Sequence, residues 1–309
     1  MSTLVEKQQL KRHEQDRDRA KGAKAEGWRR RGPLLPALIF TIIVTQLPFL
    51  FTLWYSLQNW NLLRPDGDAF VGLSNYFTVM TDSLWWTDVF NTVVIMVLTV
   101  AVELVIGFAF AMVMHRVIFG RKVVRTSILI PYGIITVVSA FAWKYAFALD
   151  SGFINNWFGL GDFAWFGERW SSIAVICLSE IWKTTPFISL LLLAGLAQVP
   201  SEYTEAARVD GASWWQRMSR VILPNMKAAI MVAVVFRALD AFRIFDNIFI
   251  MTGGANDTSS LSMLIYRQTI DRTEIGLGSA LSVILFLCVL VIAAVFVKAF
   301  KVDLAEGRG

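Results

Sequence analysis

Pro200-Ser201-Glu202-Tyr203-Thr204-Glu205-Ala206-Ala207-Arg208-Val209-Asp210-Gly211-Ala212-Ser213-Trp214-Trp215-Gln216 runs on to Val221-Ile222-Leu223-Pro224 between two long apolar blocks. Pro200 ends what precedes it. Ser201 is read as the cap of a new helix, with Glu202 in the first turn, where the helix dipole favours an acid. Glu205-Ala206-Ala207 continues that helix with good formers. Gly211 after Asp210 suits the left-handed position that stops a helix. Ser213 and Gln216 have the Ser-x-x-Gln spacing of a capping box and start a second helix, which Pro224 bends or ends. The expected unit is a short helix, a glycine corner and a second helix. Its small Ala side chains leave one side able to sit in a partner's groove. The plainer alternative is an amphipathic surface helix with no partner.

What flanks this segment decides the class. The chain has 309 residues, of which 56% are hydrophobic and 17% charged, and its mean hydropathy is +0.55. Ordinary globular chains carry about 25% charged residues. The apolar content falls in six blocks, roughly 34–57, 90–114, 126–148, 172–196, 228–251 and 277–300. Each has about the 20 residues needed to cross the hydrocarbon layer. The reading is an all-α membrane protein with six transmembrane helices in one permease domain, 34–300, with a coupling loop at 198–226. A polar tail, 1–33, precedes it and a short tail, 301–309, follows. The first block is too long for a signal-peptide core and is expected to stay as an anchor.

Lys and Arg give the orientation. With the N-terminus inside, segments 1–33, 115–125, 197–227 and 298–309 hold about 21 of the 29 Lys and Arg, against about 4 in the outer loops. That is the positive-inside bias, and it puts both termini in the cytoplasm. It also explains the net charge of +5 without nucleic acid, since the basic residues sit beside apolar blocks. The long outer loop carries the turn signal Arg64-Pro65-Asp66-Gly67-Asp68. Trp54, Trp60, Trp85, Trp86, Trp157, Trp165 and Trp170 gather near the outer ends, as an interfacial belt or as sugar-stacking faces. Cys177 and Cys288 lie in apolar blocks and read as buried small hydrophobes.

Charges inside the blocks are costly and must face protein or water. They are Glu103, Lys144, Glu180, Lys183, Arg237, Asp240, Arg243 and Asp246. Lys144 can snorkel to the outer interface. Arg237, Asp240, Arg243 and Asp246 recur every three residues with alternating sign, so neighbours can pair along a helix. On a continuous helix Arg237 and Asp246 point to opposite sides, so all four are not expected to line one path. Glu180 and Lys183 can pair with each other or cross-link to that ladder. Two roles stay open: ion pairs that fix helix packing, or a polar path for sugars formed by Asp240, Arg243, Asp246 or Asn247, with aromatic faces from Tyr132 and Trp182.

The segment Glu205-Ala206-Ala207, three residues, Gly211, nine residues, Val221, one residue, Leu223-Pro224 resembles the EAA loop of ABC importer permeases, with Val221 where that family usually has Ile. The resemblance implies the ABC importer permease fold. It also implies that Glu205, Ala206, Ala207, Asp210, Gly211, Leu223 and Pro224 couple to an ATPase. Phe70-Val71-Gly72-Leu73-Ser74-Asn75-Tyr76, Gly152-Phe153-Ile154-Asn155 and Thr252-Gly253-Gly254 are similar to recurrent elements of maltose-type sugar permeases, so the likeness covers roughly 34–300. Ile130-Pro131-Tyr132-Gly133-Ile134, Glu180-Ile181-Trp182-Lys183-Thr184-Thr185-Pro186-Phe187 and Leu239-Asp240-Ala241-Phe242-Arg243-Ile244-Phe245-Asp246-Asn247 resemble the permeases of actinobacterial trehalose importers.

The sequence has no Gly-x-x-x-x-Gly-Lys-Ser/Thr loop, and His13 and His115 lie apart with no catalytic partner. No enzyme activity and no cofactor or metal on this chain are expected. The resemblance implies two separate ATP-binding subunits, docking on 201–224 and using ATP and Mg²⁺. It also implies a second permease subunit, an extracytoplasmic substrate-binding lipoprotein, a sugar substrate and a bacterial plasma-membrane location. Alternatives are the same architecture for a maltose-type oligosaccharide or glycerol phosphate, or an ion-coupled secondary transporter.

Overall fold

The computed structural model describes residues 34–64, 69–117 and 119–299. The tails 1–33 and 301–309 and the turn at 65–68 lie outside the described residues. Two units divide the chain at Trp54/Tyr55. The described part of the first belongs to helix α1, Leu34–Ser56, an apolar rod of 23 residues containing Pro48.

The second unit begins with the end of α1 and a two-residue antiparallel pairing of β1, Gln58–Asn59, with β2, Ala69–Phe70. Then come α2, Ser74–Thr81, and α3, Ser83–Arg116. Asp82 caps α3, its carboxylate accepting from Leu84 N–H at 2.9 Å. Helix α3 has 34 residues and is the long spine of the unit. Helices α4, Arg121–Gly133, and α5, Thr136–Ala146, follow and are bent by 88° at their junction. The third apolar block is therefore two helices, not one rod. Pro131 sits in the last turn of α4 and Gly133 ends it, so the ladder does not continue through Ile134.

After α6, Ile154–Phe158, comes α7, Arg169–Leu196, which packs along α3. Gly195 near its end allows close approach, since a Cβ there would collide with that of Ala229. The loop segment forms α8, Ser201–Val209, and α9, Trp214–Arg217, then a π-helical turn, Met218–Ile222, and α10, Leu223–Asn225. Helix α11, Lys227–Ala241, is followed by α12, Asp246–Met251. Helix α13, Leu261–Tyr266, a π-helical turn at Arg267–Asp271 and α14, Ile275–Ala299, complete the order.

Four of these helices are long and apolar enough to cross a membrane: α1, α3, α7 and α14. The bent pair α4–α5 makes a fifth if it is one span. The fifth block is broken at 242–245, where no Pro or Gly stands. The freed carbonyl of Ile244 accepts from the buried Ser260 hydroxyl at 2.8 Å. Such breaks persist at membrane depth only where protein satisfies the backbone.

Apolar packing knits these pieces together. Ile95 of α3, Ala140 of α5, Ile173 and Ile176 of α7, and Ile248 of α12 share one cluster. Ala111, Ile188, Leu192, Met226 and Ala233 share another toward the α8 end. Of the tryptophans read as interfacial, one is buried and another is half-buried against the first cluster. Trp85 is buried. Trp165 donates to Asn155 Oδ1 at 2.8 Å and packs edge-on against Phe147. A ring this large is held where its N–H finds a partner. Trp86, Trp157 and Trp170 are exposed.

Candidate functional site

Two places gather the residues singled out by sequence. The first is the break in the fifth block. Arg237 on α11 lies at the centre of a buried charge cluster. Its Nε donates to Glu103 Oε2 at 2.6 Å and its Nη2 to Glu103 Oε1 at 3.0 Å. Nη2 also donates to Glu180 Oε2, and Nη1 to Asp240 Oδ2, each at 2.9 Å. The Thr184 hydroxyl donates to Glu103 Oε1 at 2.6 Å, and Asn247 Nδ2 to Glu180 Oε1 at 2.6 Å. One guanidinium thus joins α3, α7 and α11, and Asn247 adds α12. Charge-assisted, forked bonds of this kind fix orientation as well as contact.

Above this cluster lies a pocket of about 270 Å³ whose wall includes Tyr132, Glu180, Lys183, Arg237, Asp240, Arg243 and Asp246. The expectation that Arg237 and Asp246 face apart assumed a continuous helix. The break resets the helical phase after Phe245, and the whole alternating series reaches one pocket. Arg237 and Asp240 do pair at i,i+3. Glu180 cross-links to Arg237, and among the described residues no ion pair joins it to Lys183. The Lys183 ammonium instead stands 5.9 Å from the centre of the Tyr132 ring, which stacks on Phe187. Trp182 is not on the pocket wall; it packs against Trp143 at 6.1 Å. Asn247 is buried behind Glu180. The Lys144 ammonium donates to the carbonyl of Ile250 at 2.8 Å, tying α5 to the end of α12.

Glu103 stands among the charges of the apolar blocks, but no sequence pattern sets it beside the path. Its presence in a block otherwise free of charge was the available signal. Thr184 gave none, because a hydroxyl in a helix ordinarily bonds its own turn. The same hydroxyl also lies 2.6 Å from Glu180 O, so its one proton is shared between that carbonyl and the Glu103 carboxylate.

The second place is the α8–α9 corner. Pro200 occupies the cap position and Ser201 is the first helical residue, so the expected Ser201 cap is absent. Pro200 precedes the helix with extended backbone and has no N–H to satisfy. The other end is as expected. Gly211 has φ +76°, and the Ala212 and Gly211 N–H groups donate to the carbonyls of Ala207 and Arg208 at 2.9 and 3.0 Å. That is the paired-bond helix stop that glycine favours. Ser213 accepts from Gln216 N–H at 3.3 Å while Gln216 Oε1 accepts from Ser213 N–H at 2.7 Å, closing the capping box. Pro224 lies where the second run of helix ends: α10 stops at Asn225, one residue on, and Met226 interrupts the ladder. A π-helical turn at Met218–Ile222 makes room for its ring, α10 contains it, and α11 resumes at Lys227. Glu205, Ala206 and Asp210 are exposed, Ala207 is half-buried, and Leu223 is partly exposed.

An exposed corner thus leads into a helical stretch that is broken at a charged pocket. The family described as binding-protein-dependent transport system inner membrane component matches residues 103–301, and this chain belongs to it. The chain is a permease subunit of an ABC transporter, a class in which the ATPase is a separate polypeptide. It is 49% identical to the trehalose transport system permease protein SugA of Mycobacterium tuberculosis, over 86% of each chain. It is 35% identical to the trehalose/maltose transport system permease protein MalF of Thermococcus litoralis, over 86% of this chain and 91% of that one. In fold it is similar to a bacterial ABC transporter involved in the import of the acidic polysaccharide alginate. The TM-score is 0.77 at 23% identity, covering 89% of this chain and 95% of that chain.

Proposed function

We propose that this chain forms half of the translocation path of a sugar importer in the bacterial plasma membrane, and that its substrate is a disaccharide of the trehalose type. A second permease subunit supplies the other half. An extracytoplasmic binding lipoprotein delivers the sugar, and two ATP-binding subunits, using ATP and Mg²⁺, dock on 201–224. No cofactor is held by this chain. The six apolar blocks are six spans, the third bent and the fifth broken, with both termini in the cytoplasm. The distribution of Lys and Arg supports that orientation.

The observation that carries the reading is the convergence of Lys183, Asp240, Arg243 and Asp246 with Tyr132 on one pocket at the break. A sugar is a neutral polyol that needs paired donors and acceptors beside an aromatic surface. The names of the two relatives support trehalose within that class. The α8–α9 corner supports the coupling role. Stopped by Gly211 and clamped by the Ser213 box, it can pass a push from a motor to α7 and α11 without fraying.

The test is uptake into vesicles by the assembled importer, with labelled trehalose, maltose and glycerol 3-phosphate offered in turn. Trehalose is expected to enter fastest. Arg243→Ala and Asp246→Ala, once shown to assemble, are each expected to lower uptake about tenfold, the cost of one lost polar contact to a desolvated ligand. Normal uptake in both would remove this pocket from the path.

A further inference from the structure

Two adjoining surfaces at the α8 end lie partly on the 201–224 segment and hold groups that docking alone leaves unused. One is a pocket of about 770 Å³ between the end of α3, the start of α4 and the α8–α9 corner. His115, Arg116, Arg121, Arg208 and Arg217 line it, with Glu202 the acid on its wall. Among the described residues none of these four arginines is in an ion pair. Two are steadied by carbonyls: Arg121 Nε donates to Val117 O at 3.1 Å and Arg217 Nη1 to Ala212 O at 2.7 Å. Among the described residues their remaining N–H groups have no hydrogen-bond partner.

The other surface is an apolar hollow of about 430 Å³ along one stripe of α3, formed by Ala109, Met112, Val113, Arg116 and Val117. The spacing i, i+3, i+4, i+7, i+8 places all five on one face of a helix. Met112 and Arg116 belong to both surfaces. A strongly basic pocket thus opens onto an apolar stripe of a helix long and apolar enough to cross a membrane.

We infer that these surfaces together form a site for one anionic glycerophospholipid, with its phosphate among Arg116, Arg121 and Arg208 and an acyl chain along Ala109 and Val113. Guanidinium groups match phosphate oxygens with paired hydrogen bonds. Basic pockets between spans on the cytoplasmic side suit such headgroups, and the charge bias puts this end there. A soluble motor subunit would account for the cations but not for the apolar stripe that shares their wall. Occupied, the site fastens the docking helix to the ends of α3 and α4 through a single headgroup. The lipid then becomes part of the lever.

The test is native mass spectrometry of the assembled importer with palmitoyl-oleoyl phosphatidylglycerol or phosphatidylcholine added in equal amounts. Inorganic phosphate serves as a competitor. Retention of phosphatidylglycerol is expected to exceed that of phosphatidylcholine by about fivefold or more. Arg116→Gln with Arg121→Gln is expected to bring the preference close to unity. Ala109→Trp fills the hollow without touching a charge and is expected to do the same, which keeps the test open if the double variant does not assemble. Equal retention of the two lipids by the unaltered importer would overturn the proposal, as would a preference that survives both variants. Displacement of the lipid by an equal concentration of phosphate would make this a free-anion site and also overturn it. So would a photo-crosslinker at position 121 that captures the ATPase subunit, because the pocket would then belong to the motor.

Discussion

Arg237 and Glu103 meet through two hydrogen bonds, Nε to Oε2 at 2.6 Å and Nη2 to Oε1 at 3.0 Å, and both side chains are sealed from solvent. The two residues are 134 positions apart. Their contact holds the middle of α3 against α11 just before the break at 242–245. Replacing a buried pair by apolar groups of the same shape can be neutral, but removing one partner strands the other in a medium that cannot solvate it. The pair is therefore best judged by what happens when each half is left alone.

Glu103→Ala and Arg237→Ala are each expected to cost roughly 3 kcal/mol. Arg237→Ala should cost more, because it leaves Glu103 and Glu180 without their shared cation. The double variant should fall short of the sum of the singles by about 1.5 kcal/mol or more, the range for directly coupled residues. Equilibrium unfolding of the full chain in SDS measures all three. Strict additivity would show that the contact carries no coupling.

Asp240 separates stability from transport. Its carboxylate accepts from Arg237 Nη1 at 2.9 Å, yet 65% of that side chain is exposed. An ion pair so open contributes about 0–1 kcal/mol. Asp240→Asn should therefore unfold close to the unaltered chain while sugar uptake falls, chiefly through a raised KM if the carboxylate accepts from the sugar. A variant that unfolds early and transports normally at low temperature would reverse this assignment and make Asp240 a packing residue.

Ser260 has two tasks. Its hydroxyl donates to the orphan carbonyl of Ile244 at 2.8 Å and accepts from Met263 N–H at 3.3 Å as the cap of α13. Ser260→Ala leaves a buried carbonyl unsatisfied and uncaps a helix, an expected loss of about 2 kcal/mol. Hydrogen exchange should rise at Ile244–Asn247 first. Exchange that stays unchanged there would show that the break does not depend on this hydroxyl.

What could be read in advance follows from the range of each interaction. The glycine stop at Gly211 and the Ser213–Gln216 box are set by residues within a few positions of each other, and both were legible. So was the helical rod of α7, despite Pro186. The break in the fifth block was not. Phe242-Arg243-Ile244-Phe245 contains no residue that forbids a helix, and the group that stabilises the opening, Ser260, lies 16 residues on. Missing the break also gave the wrong phase for Asp246, and so the wrong prediction about which charges share a pocket. The Ser201 cap failed for a smaller reason: Pro200 takes the position one residue earlier.

The α8–α9 corner offers the sharpest test of the proposed coupling, because its fold and its exposed face can be altered separately. Gly211 holds φ +76°, a conformation that disfavours any side chain by roughly 1 kcal/mol. Gly211→Ala should loosen the end of α8 while leaving its exposed face chemically unchanged. Ser213→Ala should loosen the start of α9 by a similar amount. Glu205 is exposed at the middle of α8, so Glu205→Lys should leave the chain folded and reverse one charge on its exposed face. If a partner ATPase seats on this corner, Glu205→Lys reduces its co-purification with the chain. The two loosening variants retain the ATPase but reduce the substrate-stimulated part of its turnover, because a frayed lever absorbs the push. Membrane insertion stays normal in all three. Full co-purification and full stimulation in every variant would show that force enters the permease somewhere other than 201–224.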